Sequence, residues 1–229
     1  MIISAIIPAY NEENTVSGVI SCIKETGYID EIIVVSDGST DKTAQISRRY
    51  GAKVIELSGN MGKGAAIEIG LRYSSGDIIL LLDADLIGLK PVHIAGLLEP
   101  VTKGEADMTI GVFTGGRLFT DLAQKIYPQL SGQRALKRYV LESIYGIEDM
   151  GYGFEISLTR YAQSENVRVK VVLLKELTHV MKEEKLGIVR GLGERAKMYW
   201  QIALQMDLSR IKPSGIRKRL KMRQGLKKD

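Results

Sequence analysis

The chain has 229 residues, of which 45% are hydrophobic and 26% are charged, and this composition predicts a globular domain rather than a disordered or fibrous protein. Its longest apolar run, at 78–82, is far too short to cross a bilayer, and the single cysteine, Cys22, excludes an intramolecular disulfide. The net charge of the chain is +5. Residues 210–229 carry a charge of +8, from nine lysines and arginines and one aspartate, and the remaining chain carries −3. Because only this tail is basic, we expect no nucleic-acid partner.

The first hundred residues alternate between strand-like and helix-like patterns. Apolar runs predict strands at 2–7, 31–35, 53–57 and 77–82. Helical spacing and capping residues predict helices at 13–26, 39–51 and 63–73, with Cys22 as core filler. Since strands and helices alternate with short connections, the sequence predicts an α/β domain whose mostly parallel sheet is flanked by helices.

The alternation loosens after residue 100. We interpret His93, close to Pro91, as a structural residue of a helix. A strand is predicted at 106–113, a mainly helical stretch at 120–145, a helix at 151–165 and a strand exposed on one face at 167–174. An amphipathic helical pattern at 187–206 predicts a C-terminal helical extension, which the basic tail follows.

Polar segments follow each of the four early strands. Because open parallel sheets bind ligands beyond the carboxyl ends of their strands, we expect the side chains of these segments to form one site. Each segment alone is also typical of an ordinary turn or helix cap, so the prediction depends on their convergence. The residues concerned are Tyr10 and Glu12 after the first strand, Asp37 after the second, Lys63 after the third, and Asp83 and Asp85 after the fourth.

The chemistry of these residues favours a nucleoside diphosphate. Two carboxylates directly after a buried strand, Asp83 and Asp85, repel each other, and a hard cation such as Mg²⁺ or Mn²⁺ is the natural compensation. Asp37 can accept an N–H group of a base, Tyr10 can pack on the base, and Lys63 can meet phosphate oxygens. A metal on Asp85 would stabilise a departing diphosphate.

The segments IPAYNEE, VSDGSTD, NMGKGAAI and LLLDADL resemble family 2-type glycosyltransferases of the GT-A fold, in the family's order over residues 1–86. The resemblance implies a Rossmann-like GT-A fold and a metal-dependent hexosyltransferase. Ser36 stands where many relatives carry another aspartate, so UDP- and GDP-sugars both stay open as donors. The resemblance also implies that Asp85 is a catalytic metal ligand. The residues that it implies for nucleotide-sugar binding are Pro8, Ala9, Tyr10, Glu12, Asp37, Lys63 and Asp83.

The second half is similar to a narrower group, the glucosyl-3-phosphoglycerate synthases. The similarity lies in GGRLFTDL, LSGQRALKR, GYGFEISL and LTHVMKE, and Phe119 is an extra residue within the first of them. This resemblance implies that His179 joins Asp85 as a metal ligand and that Glu155 is a catalytic residue near the acceptor hydroxyl. It also implies an acceptor-phosphate loop containing Gly116, Arg117 and Thr120.

We therefore predict transfer of a sugar from a nucleotide diphospho-sugar to a small anionic acceptor such as 3-phosphoglycerate. The synthase-like second half favours retention at the anomeric carbon, whereas inversion would need a general base, for which Glu155 is the candidate. One alternative is a polyprenyl-phosphate sugar synthase of the dolichol-phosphate-mannose-synthase type. A nucleotide-sugar-binding protein without activity is another, and the set of Asp83, Asp85 and His179 argues against it.

The predicted organisation is a GT-A domain over 1–208 and a basic tail over 209–229. Within the domain, residues 1–100 form the nucleotide-binding half and residues 101–208 the acceptor-binding half. The tail allows two interpretations: a solvated end, which its thin apolar stripe favours, or a basic helix on anionic lipid at the inner membrane face. We expect a cytoplasmic protein without a signal peptide, and the resemblance is compatible with a homodimer.

Overall fold

The computed structural model describes residues 1–114, 131–144 and 153–179, which build a seven-stranded sheet and a separate two-stranded ribbon. The strands are β1 (Ile3–Ala9), β2 (Glu31–Ser36), β3 (Lys53–Glu56), β4 (Ile78–Leu81), β5 (Leu86–Ile87), β6 (Met108–Thr114), β7 (Arg134–Lys137), β8 (Val169–Lys175) and β9 (Thr178–His179). The helices are α1 (Val16–Thr26), α2 (Thr43–Arg49), α3 (Lys63–Arg72), α4 (Pro91–Thr102), α5 (Arg138–Glu142) and α6 (Phe154–Ser164).

The large sheet has the strand order β3-β2-β1-β4-β7-β6-β8. Neighbouring strands run parallel except around β7, which is antiparallel to both β4 and β6. The predicted α/β class with a mostly parallel sheet is therefore confirmed.

Helices cover both faces of the sheet, which explains the nearly continuous apolar runs of the central strands. In β1, for example, Ile7 packs with α1 and α4 on one face while Ile6 packs with α3 and α6 on the other. Cys22 lies in the first of these cores, where burial raises the pKa of its thiol to about 11. No helix in the described ranges is long and apolar enough to span a membrane.

The prediction of a mainly helical stretch at 120–145 is wrong for residues 134–137, which form β7. This strand runs directly into α5, and the buried residues Ala135, Leu136, Val140 and Leu141 of the two elements together imitate helical spacing. A strand that is paired on both sides and buried on both faces needs no alternation of polar and apolar residues, so its sequence shows no period of two.

Two early helices begin later than the sequence predicts. α1 begins at Val16 rather than at residue 13, and α2 begins at Thr43 rather than at residue 39. The residues before them are held in loops by hydrogen bonds between the two segments. The predicted helix at 187–206 lies outside the described residues.

Candidate active site

Four strand-end segments meet at one edge of the sheet. Strands β3, β2, β1 and β4 are parallel neighbours, so their carboxyl ends lie side by side. The segments that continue from them are 57–62, 37–42, 10–15 and 82–85. The convergence predicted from the sequence is thus present in the fold.

The loops after β1 and β2 are joined by reciprocal hydrogen bonds. The backbone N–H of Asn11 donates to Ser39 Oγ at 3.1 Å, and that of Glu12 donates to Thr43 Oγ1 at 2.7 Å. In return, the N–H of Thr40 donates to Asn11 Oδ1 at 2.8 Å. Asn11 has a φ of 55°, a left-handed conformation that asparagine adopts more readily than most residues. These bonds hold the two loops together.

Asp37 fastens the loop after β3 to the same edge. Its buried carboxylate accepts the N–H of Met61 at 2.7 Å through Oδ1 and that of Gly62 at 2.8 Å through Oδ2. Gly38 has a φ of +70°, and a Cβ there would lie 2.5 Å from the backbone nitrogen of Asn60. Asp37 therefore organises a loop, a role that the sequence did not predict, and its oxygens keep further lone pairs for a ligand.

The other predicted nucleotide-binding residues line the end of β1. Pro8 is half-buried and Ala9 is buried, and Pro8 is tolerated because β4 pairs with β1 only as far as Ile6. Tyr10 is 49% exposed, which leaves its ring accessible at this edge. The half-buried Glu12 accepts a hydrogen bond from Thr15 Oγ1 at 3.1 Å through Oε2.

Lys63, Asp83 and Glu155 form an ion-pair cluster beside these loops. The Lys63 ammonium, in the first residue of α3, lies 2.5 Å from Asp83 Oδ1 and 2.6 Å from Glu155 Oε1. Burial alone would lower the pKa of Lys63, but the charges and hydrogen bonds of the two carboxylates outweigh it and raise that pKa well above its usual range. Lys63 is therefore a cation shared by two acids that are distant in sequence.

Two further residues that the sequence analysis missed complete this cluster. The side chain of Gln133 accepts the N–H of Asp83 at 3.0 Å and donates to Asp83 Oδ2 at 2.8 Å. The fully buried Arg134 donates to the backbone oxygen of Glu155 at 3.2 Å. Burial lowers the pKa of Arg134 to about 10, although the nearby Glu155 opposes this effect. The available signal was weak, since a glutamine and an arginine before two apolar residues are equally typical of an exposed turn.

The two predicted metal ligands come from the β5–β9 ribbon. Asp85 is half-buried and directly precedes β5, whose Leu86 lies opposite His179 of β9 in the antiparallel register. The fold thus brings both positions to one end of the ribbon, where a carboxylate oxygen suits Mg²⁺ or Mn²⁺ and an imidazole nitrogen suits Mn²⁺ better than Mg²⁺. Among the side chains that the structure describes, which exclude that of His179, no three acidic, histidine or cysteine residues form a metal-binding group.

The predicted acceptor loop cannot be placed in this site. Gly116, Arg117 and Thr120 lie outside the described residues, as does the basic tail at 209–229. Glu155 is the part of the predicted acceptor side that the structure describes, and it lies against Lys63.

Comparison with known proteins identifies relatives over most of the chain. The family model "Glycosyl transferase family 2" matches residues 4–154. Glucosyl-3-phosphoglycerate synthase of Mycobacterium tuberculosis (strain ATCC 25618 / H37Rv) is 34% identical over 193 residues, which cover 68% of this chain and 59% of that protein. A dolichyl-phosphate beta-glucosyltransferase of Trichomonas vaginalis is 29% identical over 239 residues, covering 93% of this chain and 69% of that protein.

A solved structure extends the similarity to three dimensions. It is the crystal structure of glucosyl-3-phosphoglycerate synthase from Mycobacterium tuberculosis in complex with Mn²⁺, uridine diphosphate and glucosyl-3-phosphoglycerate. Its TM-score is 0.74 at 30% sequence identity, and the match covers 93% of this chain and 82% of that chain. These matches confirm both resemblances inferred from the sequence. The chain spans 59% of the length of the first curated relatives that it matches.

Proposed function

The chain belongs to glycosyl transferase family 2, and we propose that it catalyses metal-dependent transfer of a sugar from a nucleotide diphospho-sugar to a small anionic acceptor. The observation that carries this proposal is the meeting of four strand-end segments at one edge, with Asp83 and Asp85 directly after the central β4. The ligands of the similar crystal structures support UDP-glucose as the donor and 3-phosphoglycerate as the acceptor.

On the donor side, the loops after β1 and β2 form the wall for the nucleoside. Tyr10 packs on the base with its exposed ring, and Asp37 accepts an N–H group of the base while it holds the loop at Met61 and Gly62. Pro8, Ala9 and Glu12 line the same wall, and Asp83 contacts the ribose or the base.

Asp85 and His179 would hold the metal, Mg²⁺ or Mn²⁺, at the end of the β5–β9 ribbon. When it is bound, the metal supplies Lewis-acid stabilisation of the diphosphate leaving group. Asp83 and Glu155 engage two of the three N–H donors of the Lys63 ammonium, and the third can donate to a phosphate oxygen. The chain's own contribution is to fix this donor and the metal ligands where negative charge develops on the leaving group.

Glu155 orients the acceptor hydroxyl in this proposal. One of its oxygens already accepts a hydrogen bond from Lys63 at 2.6 Å, and the other can accept a hydrogen bond from the acceptor hydroxyl. The resemblance of the second half to the synthases favours retention, in which the departing phosphate assists deprotonation of the acceptor. The Gly116, Arg117 and Thr120 loop binds the acceptor's phosphate, since a guanidinium can form two parallel hydrogen bonds with phosphate oxygens.

A transfer assay with the purified full chain tests the proposal. Radiolabelled UDP-glucose or GDP-mannose is incubated with Mn²⁺ or Mg²⁺ and with 3-phosphoglycerate or polyprenyl phosphate in detergent, and the product is partitioned between water and butanol. We expect metal-dependent label in a new water-soluble anion with 3-phosphoglycerate. Absence of transfer to every acceptor, together with absence of metal-dependent donor hydrolysis, would contradict the proposal.

A lipid-linked acceptor is the second candidate. The observation that favours it is the similarity to the dolichyl-phosphate beta-glucosyltransferase, which extends over 93% of this chain. In this case the basic tail contacts anionic lipid beside the acceptor. Label that enters butanol only with polyprenyl phosphate would select this candidate over the water-soluble acceptor.

A further inference from the structure

Residues 131–134 (SGQR) run along the Lys63, Asp83 and Glu155 cluster, and all four are buried. This segment directly precedes and enters β7, which is paired with β4 on one side and β6 on the other. Its position is therefore fixed by the sheet rather than by a surface loop. Side chains that it directs at the cluster have little freedom to move.

Gln133 forms two hydrogen bonds with Asp83, one as the acceptor and one as the donor. Its Oε1 accepts the backbone N–H of Asp83 at 3.0 Å, and its Nε2 donates to Asp83 Oδ2 at 2.8 Å. Gln133 is itself fully buried, so no water competes for these bonds. The contact fixes both the backbone and the carboxylate of Asp83.

Arg134 fixes the second acid, Glu155, through hydrogen bonds to α6, the helix that carries Glu155. Its guanidinium donates to the backbone oxygen of Ser131 at 2.9 Å, to that of Glu155 at 3.2 Å and to Thr159 Oγ1 at 3.0 Å. Thr159 in turn donates to the backbone oxygen of Glu155 at 2.9 Å. The first turn of α6 is thus tied to β7 at the residue that supplies the carboxylate.

We propose that Gln133 and Arg134 are positioning residues for the candidate site. Gln133 fixes Asp83 and Arg134 fixes Glu155, so that both carboxylates stay within reach of the single Lys63 ammonium. The claim that this geometry serves sugar transfer rests on the function proposed above. The claim that Gln133 and Arg134 position the two carboxylates does not depend on that function. The two statements are therefore tested by separate readouts.

The chemical reactivity of Lys63 reports the positioning directly. Each lysine of the full chain is acetylated with a limiting amount of acetic anhydride between pH 8 and 11, and its rate is measured by peptide mass spectrometry. Lys63 is expected to react slowly in the native protein, because its ammonium is paired with two carboxylates. In Gln133→Met, which retains the volume of the side chain without its amide, we expect acetylation of Lys63 to rise about fivefold or more.

Arg134→Lys is the corresponding variant for Glu155, since lysine keeps the charge but cannot reach Ser131, Glu155 and Thr159 together. Ser47→Ala is the matched control. Ser47, in α2, is also fully buried and polar, and its hydroxyl donates to the backbone oxygen of Thr43 at 2.8 Å. This variant should lower thermal stability without changing the reactivity of Lys63. Lys137, paired with Asp107 at 2.8 Å, should react equally in all the variants.

An unchanged rate for Lys63 in both Gln133→Met and Arg134→Lys would overturn the inference. If Gln133→Met does not fold, Gln133→Asn carries the same expectation, because its amide is one methylene too short to reach Asp83. A reduced kcat for UDP-glucose transfer in the same variants, with KM for the donor little changed, would connect the positioning to catalysis. Failure of the native protein to transfer sugar would contradict the proposed function, and the acetylation rates of Lys63 would still decide whether Gln133 and Arg134 position the cluster.

Discussion

At the residue scale, Lys63 sets the charge balance of the candidate site. One ammonium is shared by Asp83 and Glu155, and the nearby guanidinium of Arg134 balances the second of these carboxylates. A nucleotide diphosphate and a divalent cation would enter beside the cluster together, because the cation compensates the negative charges of the ligand and of Asp85. The raised pKa of Lys63 keeps its positive charge in place throughout the physiological pH range.

Gly132 leaves the space in which this cluster forms. A Cβ at this position would overlap Lys63 Nζ and lie 2.8 Å from Asp83 Oδ2. We predict that Gly132→Ala destabilises the protein by about 1–3 kcal/mol, the usual cost of inserting a methyl group into a packed region, and reduces sugar transfer. Urea unfolding and the initial transfer rate measure the two effects.

Gly18→Ala is the matched control for this substitution. Gly18 lies inside α1, and a Cβ there meets nothing within 4 Å. Alanine should stabilise the helix by about 0.5–1 kcal/mol and leave transfer unchanged. Equal stability and activity of Gly132→Ala and the native protein would show that the cluster tolerates a methyl group, contrary to the packing described here.

Several residues of the candidate site could be identified from the sequence, whereas some of the contacts between them could not. Asp37, Asp83 and Asp85 follow apolar runs that predict buried strands, so their common edge follows from parallel-sheet topology. The pairing of Lys63 with Glu155 depends on how α3 and α6 pack, which no local pattern records.

At the scale of elements, the β5–β9 ribbon is held at its far end by α4. Gly88 has a φ of +81°, and a Cβ there would lie 2.6 Å from the backbone oxygen of Glu176. Lys90 pairs with Glu176 at 2.7 Å, and the backbone N–H of Lys90 donates to Nδ1 of the buried His93 at 3.1 Å. His93 is therefore structural, as the sequence predicts, and it braces the connection into the ribbon.

The stability that His93 contributes should depend on pH. Burial lowers the pKa of His93, and Lys90 adds to the effect, while a hydrogen bond to the Lys175 backbone and the charge of Glu176 oppose it. Because the unfolded chain binds the proton more readily, the stability that neutral His93 contributes is present above its ordinary pKa of about 6.5 and is lost as the pH falls.

We predict that the free energy of unfolding declines more steeply from pH 7.5 to pH 5 in the native protein than in His93→Gln. Glutamine can accept the Lys90 N–H but does not titrate. Urea unfolding at both pH values measures the difference. Identical pH dependence of the two proteins would mean that His93 titrates in the folded state as it does in the unfolded chain.

The elements of the first half agree with the sequence better than those of the second. Strands β1 to β4 are separated by helices with clear apolar stripes, so the two kinds of element have distinct periods. β7 has four residues and continues without a turn into α5, so no glycine or proline marks the boundary. Its antiparallel insertion between β4 and β6 is a property of the assembled sheet.

At the scale of the whole molecule, the described residues form a sheet with its candidate chemistry at one edge. The division into a domain over 1–208 and a tail over 209–229 stays a prediction, as do the homodimer, the cytoplasmic location and the contact of the tail with a membrane. The family and the similar crystal structure account for the sheet and for the order of the strand-end segments. They support the proposed chemistry through the ligands bound in that relative.

The decisive experiment compares the metal dependence of glucose transfer from UDP-glucose to 3-phosphoglycerate in the native protein and in Asp85→Asn. Asp30→Asn serves as the control, because Asp30 accepts the N–H of Ile3 at the opposite edge of the sheet. We predict Mn²⁺- or Mg²⁺-dependent transfer by the native protein and by Asp30→Asn, and a decrease of about a hundredfold or more in Asp85→Asn. Transfer that proceeds equally well with a chelator, or an Asp85→Asn variant as active as the native protein, would contradict a metal-dependent glycosyltransferase centred on Asp85.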